Sequence, residues 1–449
     1  MEREQLPVAV IGAGPVGLAA AAHLAERGEA FVLVEAGQAV GAAVSAWGHV
    51  QLFSPWRYLV DTAAARLLAE AGWASPDPEG FPNGAELVAS YLAPLAAHPA
   101  IAPQLLLNTR VSAVTREGFD KLKSPGRANA PFLLHLESPA GEAVLRARAV
   151  IDASGTWQQP NPLGASGTLA AGEAALRSHI AYGIPDVLGS QRARYAGKRV
   201  LLAGSGHSAF NTLLELAKLA EQAPGTAISW AVRRPAMGNV YGGGTADGLP
   251  ARGQLGTRVR ALVESGTVRL INGWHTSALK LTADGVVAQA GTASLPPVDE
   301  LIVATGFRPD LALLRELRLG LDSAVEAPTA LAPLIDPNVH SCGSVPPHGV
   351  DELAHPEPDF YIVGMKSYGR APTFLMLTGY EQVRSVVAAL AGDWVAARKV
   401  ELVLPETGVC SGPIGVSGEV ACCSTTPATR FSADIALVAA GPSGCCSSC

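Results

Sequence analysis

The stretch that most constrains this chain runs from Val8 to Gly17 and closes at Phe31–Glu35. Val8-Ala9-Val10-Ile11 is an apolar run of strand length, and it leads into Gly12-Ala13-Gly14-Pro15-Val16-Gly17, a GxGxxG pattern. An alanine-rich helical segment from Leu18 to Arg27 follows, Gly28 stops it, and Phe31-Val32-Leu33-Val34 is a second apolar strand ending in Glu35. Strand, glycine turn, helix, strand and acid in that order form the βαβ dinucleotide fingerprint. Gly12 permits the tight turn, Gly14 lets backbone approach a pyrophosphate, and Gly17 lets the helix pack close to the strand. The helix start offers unpaired N–H groups and a partial positive charge to phosphates. A carboxylate at Glu35 can accept both hydroxyls of an adenosine ribose. Gly12, Gly14, Pro15, Gly17 and Glu35 are therefore expected to bind an adenine dinucleotide.

With 449 residues the chain can hold two or three domains, and 48% hydrophobic against 16% charged residues describes a compact globular protein. The formal charge of −6 and the lack of a Lys/Arg cluster argue against a nucleic-acid partner. Met-Glu-Arg-Glu-Gln at the start lacks the basic region of a signal peptide. Leu6 to Ala25 is apolar enough to imitate a membrane span, but its glycines and proline read as the βα fingerprint instead. The expectation is a soluble, cytoplasmic protein with no membrane partner.

A second fingerprint lies further along. Lys198–Ala203 reads as a strand, Gly204-Ser205-Gly206-His207-Ser208-Ala209 is GxGxxA, and Phe210–Gln222 reads as a helix. The next strand, Ala227–Val232, ends in Arg233-Arg234 where the first motif has Glu35. Two guanidiniums can pair with a 2′-phosphate that a glutamate would repel, which points to NADPH there and makes Gly204, Gly206, Ala209, Arg233 and Arg234 its candidate contacts. Ala149-Val150-Ile151-Asp152-Ala153-Ser154-Gly155 is nearly repeated at 299–309, Asp-Glu-Leu-Ile-Val-Ala-Thr-Gly-Phe-Arg-Pro. Each is a buried strand ending in a small-residue turn, so Ser154, Gly155, Thr305 and Gly306 join the cofactor candidates, as does Gly364 after the strand-like Asp359–Val363. Between 36 and 60 the loop carries Trp47, His49, Phe53, Trp56, Arg57 and Tyr58, which suit either a flat ring system or the loop's own core. Strand-like alternation over 104–116 and 131–150 predicts a small β-meander. The fold class expected is α/β. A Rossmann-like FAD domain over 1–160 and 299–395 carries an inserted Rossmann-like NADPH domain over 190–298, and a cysteine-rich tail spans 400–449.

One fingerprint with glutamate, an inserted one with arginine, and the Ala304-Thr305-Gly306-Phe307 strand end resemble the two-dinucleotide-domain flavoproteins, and among them the flavin-containing monooxygenases. The resemblance covers about residues 6–395. It implies tightly bound FAD, NADPH as reductant, and oxygen chemistry on a small-molecule substrate. The family's marker between its domains begins Phe-x-Gly and contains a histidine; here only Arg177-Ser178-His179 and Tyr182 stand in that region. Trp47, His49, Ser54, Tyr368 and Arg370 are candidates for the wall facing the flavin. The chain also resembles the flavin-binding monooxygenase-like proteins of bacterial arsenic-resistance clusters.

That second resemblance concerns the cysteines. Of seven, only Cys342 lies in the body of the chain, and Cys410, Cys422, Cys423, Cys445, Cys446 and Cys449 fall within the last 40 residues. Soft thiolates select soft ions, so Cys422, Cys423, Cys445, Cys446 and Cys449 are candidate ligands for a metal or metalloid. Three readings are open. The first is an FAD- and NADPH-dependent monooxygenase. The second is a thiol, disulfide or metalloid reductase, which would have to use the tail, because 29–60 and 198–298 contain no cysteine. The third is a non-catalytic flavoprotein whose tail binds metal. His340, His348 and His355 near Cys342 form a further candidate ligand set, with surface histidines as the alternative.

Overall fold

A computed structural model describes residues 3–402 apart from 238–239, 243–248, 340–344 and 373. The chain divides into two units, Met1–Pro413 and Ile414–Cys449, and the second lies outside the described residues together with all seven cysteines.

In chain order, β1 (Val8–Ile11), β2 (Phe31–Val34) and β3 (Leu105–Leu106) precede an antiparallel meander of β4 (Arg110–Arg116), β5 (Phe132–Ser138) and β6 (Gly141–Ala147), and β7 (Ala149–Asp152) follows. Next come β8 (Ile180–Tyr182), β9 (Arg199–Ala203), β10 (Ala227–Ala231) and β11 (Val268–Ile271), then a second three-stranded antiparallel set, β12 (Ala278–Thr282), β13 (Gly285–Ala290) and β14 (Ala293–Ser294). β15 (Glu300–Val303) and β16 (Phe360–Ile362) complete the list. Two parallel five-stranded sheets result, ordered β16-β7-β1-β2-β3 and β11-β10-β9-β15-β8.

Both first strands are buried on two faces, which is why they read as continuous apolar runs rather than alternations. Val8 and Val10 enter one core with the helices Pro15–Glu26 and Met376–Leu390, while Ala9 and Ile11 enter another with Phe132, Leu134 and Phe360. β9 repeats this: Val200 and Leu202 pack on the helix His207–Gln222, Leu201 and Ala203 on the β12–β13 side. The α/β class and the two dinucleotide domains expected from the sequence are what the chain forms.

One boundary differs. The segment from 299 was expected back in the FAD domain, and the NADPH domain was expected over 190–298. Instead β15 pairs in parallel with β9 and β8, so the second sheet takes in 180–182 and 300–303, and the chain rejoins the first sheet only at β16. The physical reason is the turn after β15. Ala304 must lie against Gly204 as Ala153 lies against Gly12, which only a strand beside β9 can arrange.

Candidate functional site

The first glycine turn is built by close approach. Gly12 has φ +96°, and a side-chain carbon there would sit 2.8 Å from the Ala153 carbonyl oxygen and 3.0 Å from Ser154 Cα. At Gly17 it would sit 1.8 Å from the Gly12 carbonyl oxygen, so helix and turn touch through backbone alone. At Gly14 it would meet no protein atom within 4 Å. Gly14 caps the helix Pro15–Glu26 with extended backbone, and Pro15 occupies the first helical position, where its missing N–H costs nothing. Space above Gly14 and unpaired N–H donors at the helix start make a cradle for a pyrophosphate. The Glu35 carboxylate accepts the N–H groups of Ala13 and Gly37, each at 2.7 Å, and keeps lone pairs for ribose hydroxyls.

The second turn repeats the design. Gly204 has φ +129°, and a side-chain carbon would lie 2.2 Å from the Ala304 carbonyl oxygen; at Gly206 it would meet nothing within 4 Å. Ala209 is fully buried in the position where the first motif has Gly17. Trp230 Nε1 donates to the Gly204 carbonyl at 2.6 Å and fixes the turn on β10. Arg233 and Arg234 follow the end of β10, Arg233 exposed and donating to the Ala165 carbonyl at 3.3 Å, Arg234 half-buried. Both motifs thus fit a dinucleotide on their own geometry, the first with a carboxylate beside its ribose and the second with two cations.

The other candidates fall around these turns. Ser154 gives its N–H (3.0 Å) and its hydroxyl (2.6 Å) to Asp152 Oδ1, and Gly155 has φ +70°. Gly364, φ +69°, lies against Val16 of the first helix. Thr305 and Gly306 follow β15 in the second sheet rather than standing at the first, and they are tied to Asn161: its Nδ2 donates to the Thr305 carbonyl at 3.1 Å, and its N–H to the Gly306 carbonyl at 2.9 Å.

Between the two domains lies a cleft of about 240 Å³, whose walls include Trp47, Gln51, Phe53 and Phe374–Met376 from the first domain and His207, Ser208 and Asn211, which follow the second glycine turn, from the second. Trp157 closes one side, stacked on Phe307 with centroids 4.7 Å apart, and Phe53 faces His207 at 5.1 Å. No lining residue is charged. Of the expected flavin wall, Trp47 and Ser54 line this cleft. His49 lies beside it, its Nε2 4.0 Å from Glu215 Oε2 of the second domain's helix. Tyr368 is instead buried in the first domain's core against His348 and Phe374, and Arg370 is exposed. Gln51 and Asn211 could not be read from sequence, since nothing local marks a polar residue that faces another domain. His207 could have been, because it opens the helix that the GxGxxA turn caps.

Metal candidates fare differently. His348 is buried and hydrogen-bonds to Gln382, and His355 is half-buried beside Phe360. Burial lowers the pKa of both, that of His355 to about 4. Among the described residues no group of three or more His, Cys, Asp or Glu could hold a metal ion. His340, Cys342 and the tail candidates Cys422, Cys423, Cys445, Cys446 and Cys449 lie outside the described residues. No described helix is long and apolar enough to cross a membrane.

Known proteins agree with this geometry. The model of the FAD dependent oxidoreductase family matches residues 7–156. A ferredoxin–NADP reductase of Salinispora tropica is 29% identical over 321 residues, 71% of this chain and 79% of the relative. A bacillithiol disulfide reductase from Bacillus cereus shares the fold at TM-score 0.63 and 18% identity, over 86% of this chain and 99% of its own. A flavin-containing monooxygenase from Stenotrophomonas maltophilia does so at TM-score 0.53 and 23% identity, over 86% and 98%. The chain is a FAD-dependent oxidoreductase of the two-dinucleotide-domain fold, and its cofactors are FAD and NADPH.

Proposed function

We propose that this chain is a monooxygenase-like enzyme that spends NADPH to oxidise a small-molecule substrate in the cytoplasm, and that its terminal thiols capture a soft metal or metalloid such as trivalent arsenic. The observation that carries the first part is the cleft: mostly apolar, uncharged, without cysteine, and shared by the two domains beside the second glycine turn. FAD, when bound, supplies the two-electron chemistry between NADPH and the final acceptor. What the chain adds is exclusion and orientation. Trp47, Phe53, Trp157, Phe374 and Met376 give the cleft apolar walls that would keep water from a substrate held there, and Ser208 and Asn211 offer hydrogen bonds on the second domain's side. A dithiol reductase needs a thiol pair where electrons leave the flavin, and neither 29–60 nor 198–298 provides one.

A second reading has its own support. The curated relatives named ferredoxin–NADP reductase match over 79% of the Salinispora tropica protein's length, which favours a one-electron carrier as acceptor. The two part in one experiment: anaerobic reduction by NADPH, then air or a ferredoxin, with product counted against peroxide. Oxygenated product from a small nucleophile supports the monooxygenase reading. Fast electron transfer to ferredoxin, with oxygen yielding only peroxide, replaces it with the carrier reading.

For the tail, six thiols crowded into the last 40 residues motivate the capture reading, because adjacent thiolates are soft ligands. Removing residues 408–449 should abolish tight arsenite binding while NADPH oxidation in air persists. Full arsenite affinity in the truncated protein would end the capture reading. Loss of NADPH oxidation would restore the reductase reading.

A further inference from the structure

Asp152 closes β7, and Lys366 lies in the short turn Gly364–Tyr368 after β16. Both side chains are completely buried, with Lys366 Nζ 2.7 Å from Asp152 Oδ2 and donating to Ser154 Oγ at 3.0 Å. Such a pair is weak support for a fold, since an apolar pair of similar volume generally serves stability as well. Its position is more telling. Ser154 belongs to the turn whose backbone fills the space beside Gly12, and the lysine's own turn starts at Gly364, where a side-chain carbon would lie 3.3 Å from Val16. One ammonium therefore joins the two segments that flank the glycine turn on either side. Lysine has three N–H donors, and the described residues take two.

We propose that Lys366 is a FAD-positioning residue. Acting through Asp152 and Ser154, it clamps the 153–155 turn and the 364–368 turn against Gly12–Val16 from a fully buried position, without touching the cofactor itself. The proposal rests on FAD occupying the first motif. Sequence reading passed over Lys366 because its partners are distant in the chain and no motif contains it.

The test uses the full-length protein stripped of FAD, with cofactor affinity followed by flavin fluorescence and the apoprotein's melting temperature measured alongside. Ser154→Ala keeps the ion pair and removes one leg of the clamp; Asp152→Leu with Lys366→Met replaces both charges by apolar groups. Both are expected to weaken FAD binding about tenfold or more while the apoprotein melts near the wild-type temperature. The visible circular dichroism of residual bound flavin should change, and the KM for NADPH, which binds the other domain, should not. Wild-type FAD affinity in both variants, or a loss that merely follows a fall in melting temperature, overturns the proposal. If the double variant fails to fold, Ser154→Ala decides by the same criteria. Gly14→Val serves as the control: if it retains FAD, the first motif is not the FAD site and the premise fails instead.

Discussion

A side-chain carbon added to Gly17 would sit 1.8 Å from the Gly12 carbonyl oxygen, whereas one added to Gly14 would meet no protein atom within 4 Å. The two substitutions should therefore fail differently. Gly14→Val is expected to leave a folded apoprotein that binds no FAD, and Gly17→Val to lower the melting temperature outright. Absorbance at the flavin band and thermal melting of each variant check this, and a yellow, fully loaded Gly14→Val would contradict it. Arg233 and Arg234 offer a second residue-level prediction. Replacing both by Ala should weaken reduction by NADPH about tenfold, near 1.4 kcal/mol for a lost phosphate pairing, with NADH kinetics barely moved. Equal losses with both coenzymes would remove the phosphate assignment. At this scale the sequence was informative wherever backbone approach dictates a residue type, as at Gly12, Gly17 and Gly204. It was silent on Lys366 and Asn211, whose roles come from partners far away in the chain.

Among the elements, the meander β4-β5-β6 is held to the rest of the first domain by a buried carboxylate. Glu357 accepts from Arg116 Nε at 2.9 Å, from Arg127 Nη1 at 2.6 Å and from the Arg318 N–H at 3.0 Å, and the Arg116 guanidinium lies 3.5 Å from the centroid of the Phe132 ring. Burial pushes the Glu357 carboxyl up, but hydrogen bonds from Arg127, the Arg318 N–H and Arg116 outweigh it and hold it below the ordinary glutamate range. Glu357→Ala would leave two buried guanidiniums uncompensated, which typically costs about 3–5 kcal/mol. Denaturant unfolding should show that loss at neutral pH. A folded-state pKa below the unfolded one means that this stabilisation is present above the unfolded value and disappears as pH falls through the folded value, so wild type and variant should converge in acid. A variant as stable as wild type at pH 7 would mean that the arginines find other partners. The meander itself was visible as alternating apolar residues; its anchor was not, since Glu357 lies in an irregular segment with no periodicity to read.

Over the whole molecule, the two sheets have the same order. β16-β7-β1-β2-β3 matches β8-β15-β9-β10-β11 strand for strand, and each carries a three-stranded antiparallel set before its inner strand, β7 or β15. The near-repetition of 149–155 at 299–309 is the sequence trace of this correspondence. Its outer strands left no trace, because β8 and β16 are three residues each and one opens its domain while the other closes it. The domains meet at a pair that neither motif contains: His49 of the first and Glu215 of the second, 4.0 Å apart, each with a buried atom lacking a hydrogen-bond partner. Burial and the nearby Asp186 raise Glu215 to about 7 against the weaker pull of Lys218, while burial lowers His49 in spite of Asp186. Near neutrality much of the pair is uncharged, so it does not act as a full ion bridge. Between the unfolded glutamate value of 4.5 and about 7, the folded protein keeps a proton that the unfolded chain releases. Glu215 therefore withdraws stability as pH rises through that window, and the loss is complete above it. His49 has the opposite slope, destabilising the fold as pH drops below the ordinary histidine value of 6.5. Glu215→Gln should then melt a few degrees above wild type at about pH 8 and match it at about pH 4.5. Melting curves of the FAD-loaded protein across that range decide the matter. A variant that melts lower than wild type at pH 7 would mean that an ionised Glu215 and a protonated His49 hold the domains together, and the uncharged seam would have to be given up.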